Sequence, residues 1–345
     1  MVYRILVGSY TNRISTLFFD PQAKTLSVAS WVETGQNPSW VVQHPSDKTL
    51  IFATNEIPDG KIQVFKLAED ASLAFIEECS SGGADPASLI VSESSAIVGN
   101  WIGSRPNPDR QASSHPHQII FHPNREELLV PDLGADKVWR LLKNNGGAWE
   151  VKGSVSLEAG SGPRHAVFHN AVLYTALELT NRVSSHLVAP LPEAPLPLFT
   201  LSSVSPTSKA VPTMTLGEII LSPSTPSHPS PLLYVSNRDE PLPTGDTIAV
   251  YTPYHVSTLP TSRSVSPGAP KRPSVDMGGQ FRYIGSVATG LKHVRAIALG
   301  GPDRRFLVAG GVQGGGIKVF ERVGASLREI ASTNDVEKPT AFLWV

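Results

Sequence analysis

A short pattern of two apolar runs recurs seven times along the 345-residue chain. The first run of each copy starts with Pro-x-x-apolar or a variant of it, at Pro38, Pro86, Pro116, Pro163, Leu216, Val294 and Pro339. The second run ends at Tyr10, Asn55, Asn100, Asp132, Leu177, Asn237 and Gly311, and three intervals between successive ends are 45 residues. A unit that repeats every ~40–45 residues is typical of the four-stranded blade of a β-propeller.

The two ends of the chain predict how the repeats are arranged. The chain starts with a second run, residues 5–10, and finishes with a first run, residues 339–345. Pairing these strands in one blade would remove the exposed sheet edges that a linear array would have. Apolar residues rarely keep a helical period, so little helix is expected. The sequence therefore predicts an all-β, seven-bladed β-propeller that is closed by pairing of its N- and C-terminal strands.

Three stretches depart from the regular repeat. After Asn100 no third apolar run follows, because residues 101–114 are rich in Gly, Ser, Arg and Pro. We therefore expect the third repeat to lack one or two outer strands, unless the sequence has lost a segment there. Residues 189–231 and 252–274 are rich in Pro and Ser, which predicts loop insertions at the surface. Since the strand pattern resumes after each, residues 1–345 are expected to form a single propeller domain.

Composition narrows the class of protein. Lys plus Arg is 29 and Asp plus Glu is 30, giving a net charge of -1, so a nucleic-acid partner is not expected. The single cysteine, Cys79, excludes an intramolecular disulfide and suits a reducing compartment. We predict no signal peptide and no membrane-spanning run, so no membrane partner is expected. We expect a cytoplasmic monomer.

Two positions of each repeat are expected to face the central channel, at the start of the innermost strand and just after the second strand. The first position holds Ser39, Ala87, His117, Arg164, Gly217, Arg295 and Thr340. The second position holds Thr11, Glu56, Trp101, Leu133, Glu178, Arg238 and Val312. One His, two Glu and three Arg are therefore predicted to meet at one mouth of the channel.

This mixture of residue types suggests acid–base chemistry on an anion. Glu178 or His117 could act as the general acid or base. The arginines could bind a carboxylate or phosphate bidentately and stabilise an oxyanion. We predict His117, Glu178, Arg164 and Arg238 as catalytic residues, and Arg295, Glu56 and Trp101 as substrate-binding residues. The alternative is that these charges form ion pairs that only hold adjacent blades together.

Metal binding is the weaker hypothesis. His115 with His117, and His165 with His169, alternate along predicted strands and could share a face. No third ligand lies near either pair in the sequence, so structural imidazoles are the preferred interpretation. A calcium site would need oxygen ligands, and Glu56, Asn100 and Asn237 remain available for one. We predict no metal and no other cofactor.

Several stretches resemble one known family. They are Asn37-Pro38-Ser39-Trp40, Ser114-His115-Pro116-His117-Gln118, Val130-Pro131-Asp132-Leu133-Gly134, Gly162-Pro163-Arg164-His165, Glu178-Leu179 and Leu233-Tyr234-Val235-Ser236-Asn237-Arg238. The chain resembles the seven-bladed lactonase propellers, which include 6-phosphogluconolactonase-type proteins and fungal carboxy-cis,cis-muconate cyclases. The resemblance to the cyclases places a His, two Arg and a Glu in the site, at His117, Arg164, Arg238 and Glu178. The chain departs from the family in its short third repeat and at His293-Val294-Arg295.

The resemblance and the charged residues at the channel mouth (the rim residues) together predict a metal-independent enzyme that opens or closes a lactone ring on a small anionic substrate. For hydrolysis, Glu178 or His117 would activate water. For the alternative, a carboxymuconate-type cycloisomerase or a biosynthetic cyclase, one of them would deliver a proton to carbon. A third possibility is a non-catalytic propeller that binds an anion or a protein, because a fold does not fix a function.

Overall fold

The computed structural model describes residues 1–101, 111, 113–254 and 280–345, except for the side chain of Trp101. These residues form an all-β propeller with six four-stranded sheets and one two-stranded sheet. The first sheet contains β1 (Tyr3–Ser9), β2 (Arg13–Asp20), β3 (Thr25–Glu33) and β26 (Pro339–Trp344). The second contains β4 (Pro38–Gln43), β5 (Leu50–Asn55), β6 (Lys61–Leu67) and β7 (Leu73–Ser80).

The remaining sheets follow in chain order. The third contains β8 (Ala84–Val91) and β9 (Ala96–Trp101). The fourth contains β10 (Ile120–Phe121), β11 (Leu128–Asp132), β12 (Lys137–Lys143) and β13 (Trp149–Ser156). The fifth contains β14 (Pro163–His169), β15 (Val172–Leu177), β16 (Arg182–Leu187) and β17 (Leu196–Ser202). The sixth contains β18 (Thr215–Ser222), β19 (Leu232–Arg238), β20 (Thr247–Thr252) and β21 (Arg282–Ala288). The seventh contains β22 (Lys292–Gly300), β23 (Phe306–Gly314), β24 (Ile317–Val323) and β25 (Ser326–Thr333).

The first and last strands of the chain lie in one sheet. β1 pairs antiparallel with β26, with Ile5 opposite Trp344 and Val7 opposite Phe342. On its other side β1 pairs with β2, so it is hydrogen-bonded along both edges. This arrangement leaves β1 no free edge for pairing with another chain.

The hydrophobic core lies between neighbouring sheets rather than at one centre. One cluster joins the fifth and sixth sheets through Tyr174, Leu216 and Tyr251, all of them fully buried. A second joins the seventh and first sheets through Phe19 and Phe306, whose ring centroids are 5.0 Å apart. Each fully buried side chain of this kind stabilises the fold by roughly 1.5–3 kcal/mol. The innermost strands are thereby held around a central channel.

The polar residues that end the second runs fasten neighbouring segments together. Asn55 Nδ2 donates to the Gln36 carbonyl at 2.9 Å, and Asn237 Nδ2 donates to that of Ser203 at 3.1 Å. Asp132 accepts a hydrogen bond from the His115 N–H at 2.7 Å. In each case the side chain satisfies a backbone group outside the ladder, which a buried peptide group requires. The polar end of the repeat therefore positions the chain close to the channel rim.

The structure differs from the predicted insertions. Residues 189–231, predicted to be a loop insertion, contain β17, for which no strand was predicted, and β18, which the repeat pattern had predicted from Leu216. β17 is the outer strand of its sheet and is largely exposed on both faces, so it lacks an inward apolar alternation. Pro197 is tolerated there because an edge strand does not need every N–H. Most of the second predicted insertion, residues 252–274, lies outside the described residues.

The third sheet has two strands in the described part of the chain, in agreement with the short third repeat. Most of the following stretch, residues 101–114, lies outside the described residues. Among the residues described, helical structure is limited to a 3-10 turn at Pro302–Arg304. That part of the chain therefore offers no helix of the length and apolarity that crossing a membrane demands.

Candidate active site

A cavity of about 330 Å³ lies at one end of the channel. Six of the seven residues predicted for the site line it: His117, Glu178, Arg164, Arg238, Arg295 and Glu56. The side chain of the seventh, Trp101, lies outside the described part of the structure. The cavity is also lined by residues for which no catalytic or substrate-binding role was predicted: Tyr10, Asn37, Asp85, His115 and Leu133.

β-Bulges at the starts of the innermost strands direct side chains into the channel. In β14 the register with β15 shifts between Pro163 and His165, so Arg164 is the extra residue. In β22 the same happens between Val294 and Ala296, and the extra residue is Arg295. A bulge places two residues opposite one and re-aims the side chain of the inserted residue. The bulges are the physical reason why Arg164 and Arg295, at the first repeat position, face the cavity.

Glu178 lies between two arginines. Its Oε2 is 2.8 Å from Arg164 Nη1 and 2.9 Å from Arg238 Nη2. All three residues are almost completely buried, with at most 3% of any of them exposed. Arg164 Nε also donates to the Gly217 carbonyl at 2.8 Å, which fixes its guanidinium plane. The carboxylate of Glu178 therefore orients two cationic groups toward the same cavity.

A second charged cluster forms the other side of the cavity. Arg295 Nη2 donates to Glu56 Oε2 at 3.0 Å, and its guanidinium carbon lies 4.8 Å from the centre of the Tyr10 ring. The Tyr10 hydroxyl donates to Glu56 Oε1 at 3.1 Å. Asp85 also lines this side, and burial and the charge of Glu56 raise the pKa of its carboxyl group. One side of the cavity thus carries the guanidinium groups of Arg164 and Arg238. The other side carries Arg295 together with the hydrogen-bond acceptors Glu56 and Asp85.

The three arginines crowd one another in a place with little water. Burial lowers the pKa of Arg164 well below its usual value, and the charges of Arg238 and Arg295 lower it further. Burial and the charge of Arg295 lower the pKa of Arg238 to about 9. Within the described residues, Arg238 Nε is buried without a hydrogen-bond acceptor. An anion in the cavity would supply the missing acceptor and reduce the repulsion between the guanidinium groups.

A buried chain of hydrogen bonds leads from Arg164 away from the cavity. Arg164 Nη1 contacts His117 Nε2 at very short range. His117 Nδ1 lies 3.1 Å from His165 Nε2, and His165 Nδ1 contacts Glu218 Oε1. Burial lowers the pKa of His117 well below its usual value, with Arg164 adding to the effect. Burial also lowers the pKa of His165, so both imidazoles are neutral near pH 7.

The metal hypotheses find little support in the geometry. The described residues contain no group of three or more His, Cys, Asp or Glu side chains that could hold a metal ion. Of the three oxygen ligands considered for calcium, Glu56 lines the cavity, whereas Asn237 bonds to Ser203 and Thr247. Asn100 donates to the Ser81 carbonyl at 2.7 Å. The two asparagines therefore fasten the backbone and do not join Glu56 at the cavity wall.

The sequence predicted no role in the active site for three residues of this region, although a signal existed for each. One of them, His165, was considered only as a metal ligand or a structural imidazole. Tyr10 ends a second run, where it was counted as a strand end rather than a rim residue. His165 directly follows the first repeat position at Arg164, and Glu218 directly follows it at Gly217. A bulge brings consecutive residues toward the channel, so counting one residue per repeat was too restrictive.

The fold and the charged cavity agree with the family of the chain. It belongs to the family described as "Lactonase, 7-bladed beta-propeller", which it matches over residues 4–101 and 99–266. The chain is therefore a lactonase-type β-propeller, and several of its relatives carry more specific names.

Over 98% of its length the chain is 26% identical to an Arthroderma benhamiae protein named "Probable 6-phosphogluconolactonase", of which 88% is covered. A shorter similarity, 30% identity over 93 residues, relates 26% of the chain to 25% of the carboxy-cis,cis-muconate cyclase of Neurospora crassa. The structure of the periplasmic gluconolactonase of Pseudomonas aeruginosa matches with a TM-score of 0.77 at 20% identity, covering 100% of this chain and 99% of that one. At that identity the structural likeness concerns the fold alone.

Proposed function

We propose that this protein hydrolyses a lactone that carries a phosphate or carboxylate group. The observation that carries the proposal is the convergence of three buried guanidinium groups, those of Arg164, Arg238 and Arg295, on one cavity beside His117. Membership of the lactonase family and the names of its relatives support the reaction class. We also infer that the two-stranded sheet is the third of seven blades.

The proposed substrate is a polyhydroxylated lactone. Its acid group would bind Arg238 and Arg295 through charge-assisted hydrogen bonds. Its hydroxyl groups would donate to the carboxylates of Glu56 and Asp85, which lie on the same side of the cavity as Arg295. A cavity of about 330 Å³ is of the size that holds one small molecule. A phosphorylated sugar lactone has both kinds of group, and it fits the name of the A. benhamiae relative.

His117 is proposed as the general base. Arginine only donates hydrogen bonds, so the contact with Arg164 Nη1 requires an unprotonated His117 Nε2. When the lactone carbonyl oxygen takes over the hydrogen bond from Arg164 Nη1, this nitrogen becomes available to a water molecule. A lone pair on Nε2 suits water activation, whereas cyclisation of a diene acid would need an acid that protonates carbon. Hydrolysis is therefore the preferred reaction.

The proposed steps balance in atoms and charge. Water attacks the lactone carbonyl carbon while His117 Nε2 takes one of its protons. The carbonyl oxygen becomes an oxyanion, which Arg164 stabilises. The bond from the carbonyl carbon to the ring oxygen then breaks, and the ring oxygen receives the proton from His117. Glu178 keeps Arg164 and Arg238 in place throughout.

The test compares a phosphorylated sugar lactone with the same lactone lacking phosphate, by following acid release at constant pH. We expect kcat/KM to be about 1,000-fold higher for the phosphorylated lactone, from two charge-assisted hydrogen bonds of about 2 kcal/mol each. His117→Gln is expected to lower kcat about 100-fold or more while a non-hydrolysable sugar phosphate still binds.

Each rival function has its own result in the same assay. Equal rates on both lactones would overturn the anionic substrate, and full activity of His117→Gln would overturn its role as base. Consumption of a carboxymuconate-type diene acid, followed by its ultraviolet absorbance, with no lactone hydrolysis would favour the cycloisomerase. Tight binding of the sugar phosphate without turnover of any substrate would favour the non-catalytic propeller, and Glu178→Gln would then retain the ligand.

A further inference from the structure

Two buried residues outside the cavity wall, His165 and Glu218, continue the hydrogen-bond chain that begins at Arg164. His165 is 1% exposed and Glu218 is 8% exposed. They come from different sheets, since His165 lies in β14 and Glu218 in β18. The rings of His165 and Trp40 make a T-shaped contact, with 5.7 Å between their centroids, so the imidazole is also held by β4 of the second sheet.

The donor rules allow only one arrangement of protons along this chain. Because Arg164 donates to His117 Nε2, the proton of neutral His117 must be on Nδ1. This N–H points at His165 Nε2, 3.1 Å away, which must therefore accept. The proton of His165 is then on Nδ1 and is donated to Glu218 Oε1. Any other tautomer of either histidine would place two donors against each other.

Glu218 is held in one position at the end of this series of hydrogen bonds. Its Oε1 also accepts a hydrogen bond from the Ile219 N–H at 3.2 Å, and its own N–H donates to Ser236 Oγ at 2.8 Å. Its other side borders a larger cavity of about 630 Å³, lined mainly by apolar side chains of the innermost strands. A carboxylate in such surroundings accepts strongly from the few donors that it has.

We propose that Glu218 and His165 are positioning residues of the active site, which fix the tautomer and the ring orientation of His117. The inference rests on the proposed function, in which His117 Nε2 is the base. Without the two residues, His117 could rotate or exchange its proton to Nε2, and that nitrogen would no longer accept a proton from water. A catalytic histidine is usually oriented by a carboxylate that it contacts directly. Here His165 would lie between the carboxylate of Glu218 and the catalytic His117.

The first experiment reads the tautomer without any substrate. In protein labelled with ¹⁵N at histidine, His117 of the wild type is expected to show a protonated Nδ1 and an unprotonated Nε2 in NMR spectra at pH 7. Glu218→Gln keeps the size of the side chain but removes its charge, and we expect it to give His117 a mixture of tautomers. His165→Gln is the second variant, in case the first does not fold.

The second experiment separates positioning from binding. Glu218→Gln is expected to lower kcat on the phosphorylated lactone at least tenfold and to change KM less than twofold. The matched control is Glu321→Gln, because Glu321 is also 8% exposed but pairs with Arg305 and Arg328 far from the cavity. This control should keep wild-type kcat and the wild-type spectrum of His117.

The outcomes distinguish this inference from the proposed function. A wild-type His117 that carries its proton on Nε2 would overturn the positioning role, as would an unchanged spectrum and kcat in both Glu218→Gln and His165→Gln. A wild type that hydrolyses no lactone would overturn the proposed function instead. The spectra of the variants would then decide alone whether Glu218 and His165 position His117.

Discussion

Arg295 Nη2 lies 3.0 Å from Glu56 Oε2, although 239 positions separate the two residues in the chain. Arg295 belongs to the seventh sheet, and Glu56 follows the end of β5 in the second. Tyr10 follows β1 of the first sheet, which lies between them, and contacts both. Burial acts to lower the pKa of Arg295, but the charges of the carboxylates Glu56 and Glu218 outweigh it and raise this pKa. This arginine therefore stays charged and is held in one orientation.

The first prediction concerns the role of Arg295 in binding the acid group. Arg295→Gln removes one charge-assisted hydrogen bond, of about 2 kcal/mol, so KM for the phosphorylated lactone should rise about 30-fold. The lactone without phosphate should be affected much less. Steady-state kinetics on the two substrates measures the difference. Arg182→Gln is the control, because Arg182 pairs with Glu158 at the surface, and equal KM values in the two variants would contradict the prediction.

Much of the site was predictable because the repeat is regular at its innermost strands. Arg164 and Arg295 occupy equivalent repeat positions, and the same bulge turns both toward the channel. Once the copies are aligned, the clustering of the charged rim residues follows from the geometry of a ring. Their exact pairing does not follow, since Arg295 contacts Glu56 past an intervening sheet.

The outer strands were less predictable, for a physical reason. β17 is exposed on both faces, so its sequence is under little pressure to alternate apolar and polar residues. Its Pro and Ser content therefore resembles a loop. The roles of His165 and Glu218 were not predicted for a different reason. They depend on a contact between β14 and β18, and no spacing of residues within one repeat encodes such a contact.

The second prediction concerns alkaline pH. The pKa of Arg238 is about 9, so its charge is present below that pH and is lost above it. Affinity for a non-hydrolysable sugar phosphate should therefore fall as the pH rises from 8 to 10. The phosphate itself stays fully ionised, because its second pKa is about 6. Titration calorimetry across this range measures the loss, and Arg238→Met should abolish the pH dependence. A wild-type affinity that stays constant to pH 10 would argue against a titrating Arg238.

The third prediction concerns Gly217, which lies at the first repeat position. A Cβ there would meet the Val294 carbonyl oxygen at very short range and would lie 2.9 Å from that of Arg295. Gly217→Ala should therefore push β18 away from β22 and destabilise the fold by about 1–3 kcal/mol. It should also lower activity, since the Gly217 carbonyl accepts from Arg164 Nε.

Thermal or urea unfolding together with kinetics tests this substitution. Gly146→Ala is the matched control, because the nearest atom to its added Cβ would be Asn144 Oδ1 at 3.4 Å, an ordinary contact. That variant should stay within about 0.5 kcal/mol of the wild type. If Gly217→Ala were as stable and as active as the wild type, close packing of β18 on β22 would not be the reason why a glycine is needed at this position.

The last prediction concerns His186 and acid stability. His186 is 6% exposed, and burial lowers its pKa from 6.5 to about 4. In the unfolded chain the imidazole takes up a proton as the pH falls below 6.5, while in the folded protein it stays neutral until about pH 4. Its contribution to stability is therefore complete above pH 6.5 and is lost progressively as the pH falls toward 4. At pH 5 the loss is about 2 kcal/mol.

His186→Leu removes the titrating group, so the variant should gain about 2 kcal/mol relative to the wild type between pH 7 and pH 5. Urea unfolding at the two pH values measures the free energy of unfolding of each protein. The comparison uses the change with pH rather than the absolute stability, because the leucine also alters packing in β16. A constant difference between His186→Leu and the wild type would mean that this imidazole is already protonated in the fold at pH 5.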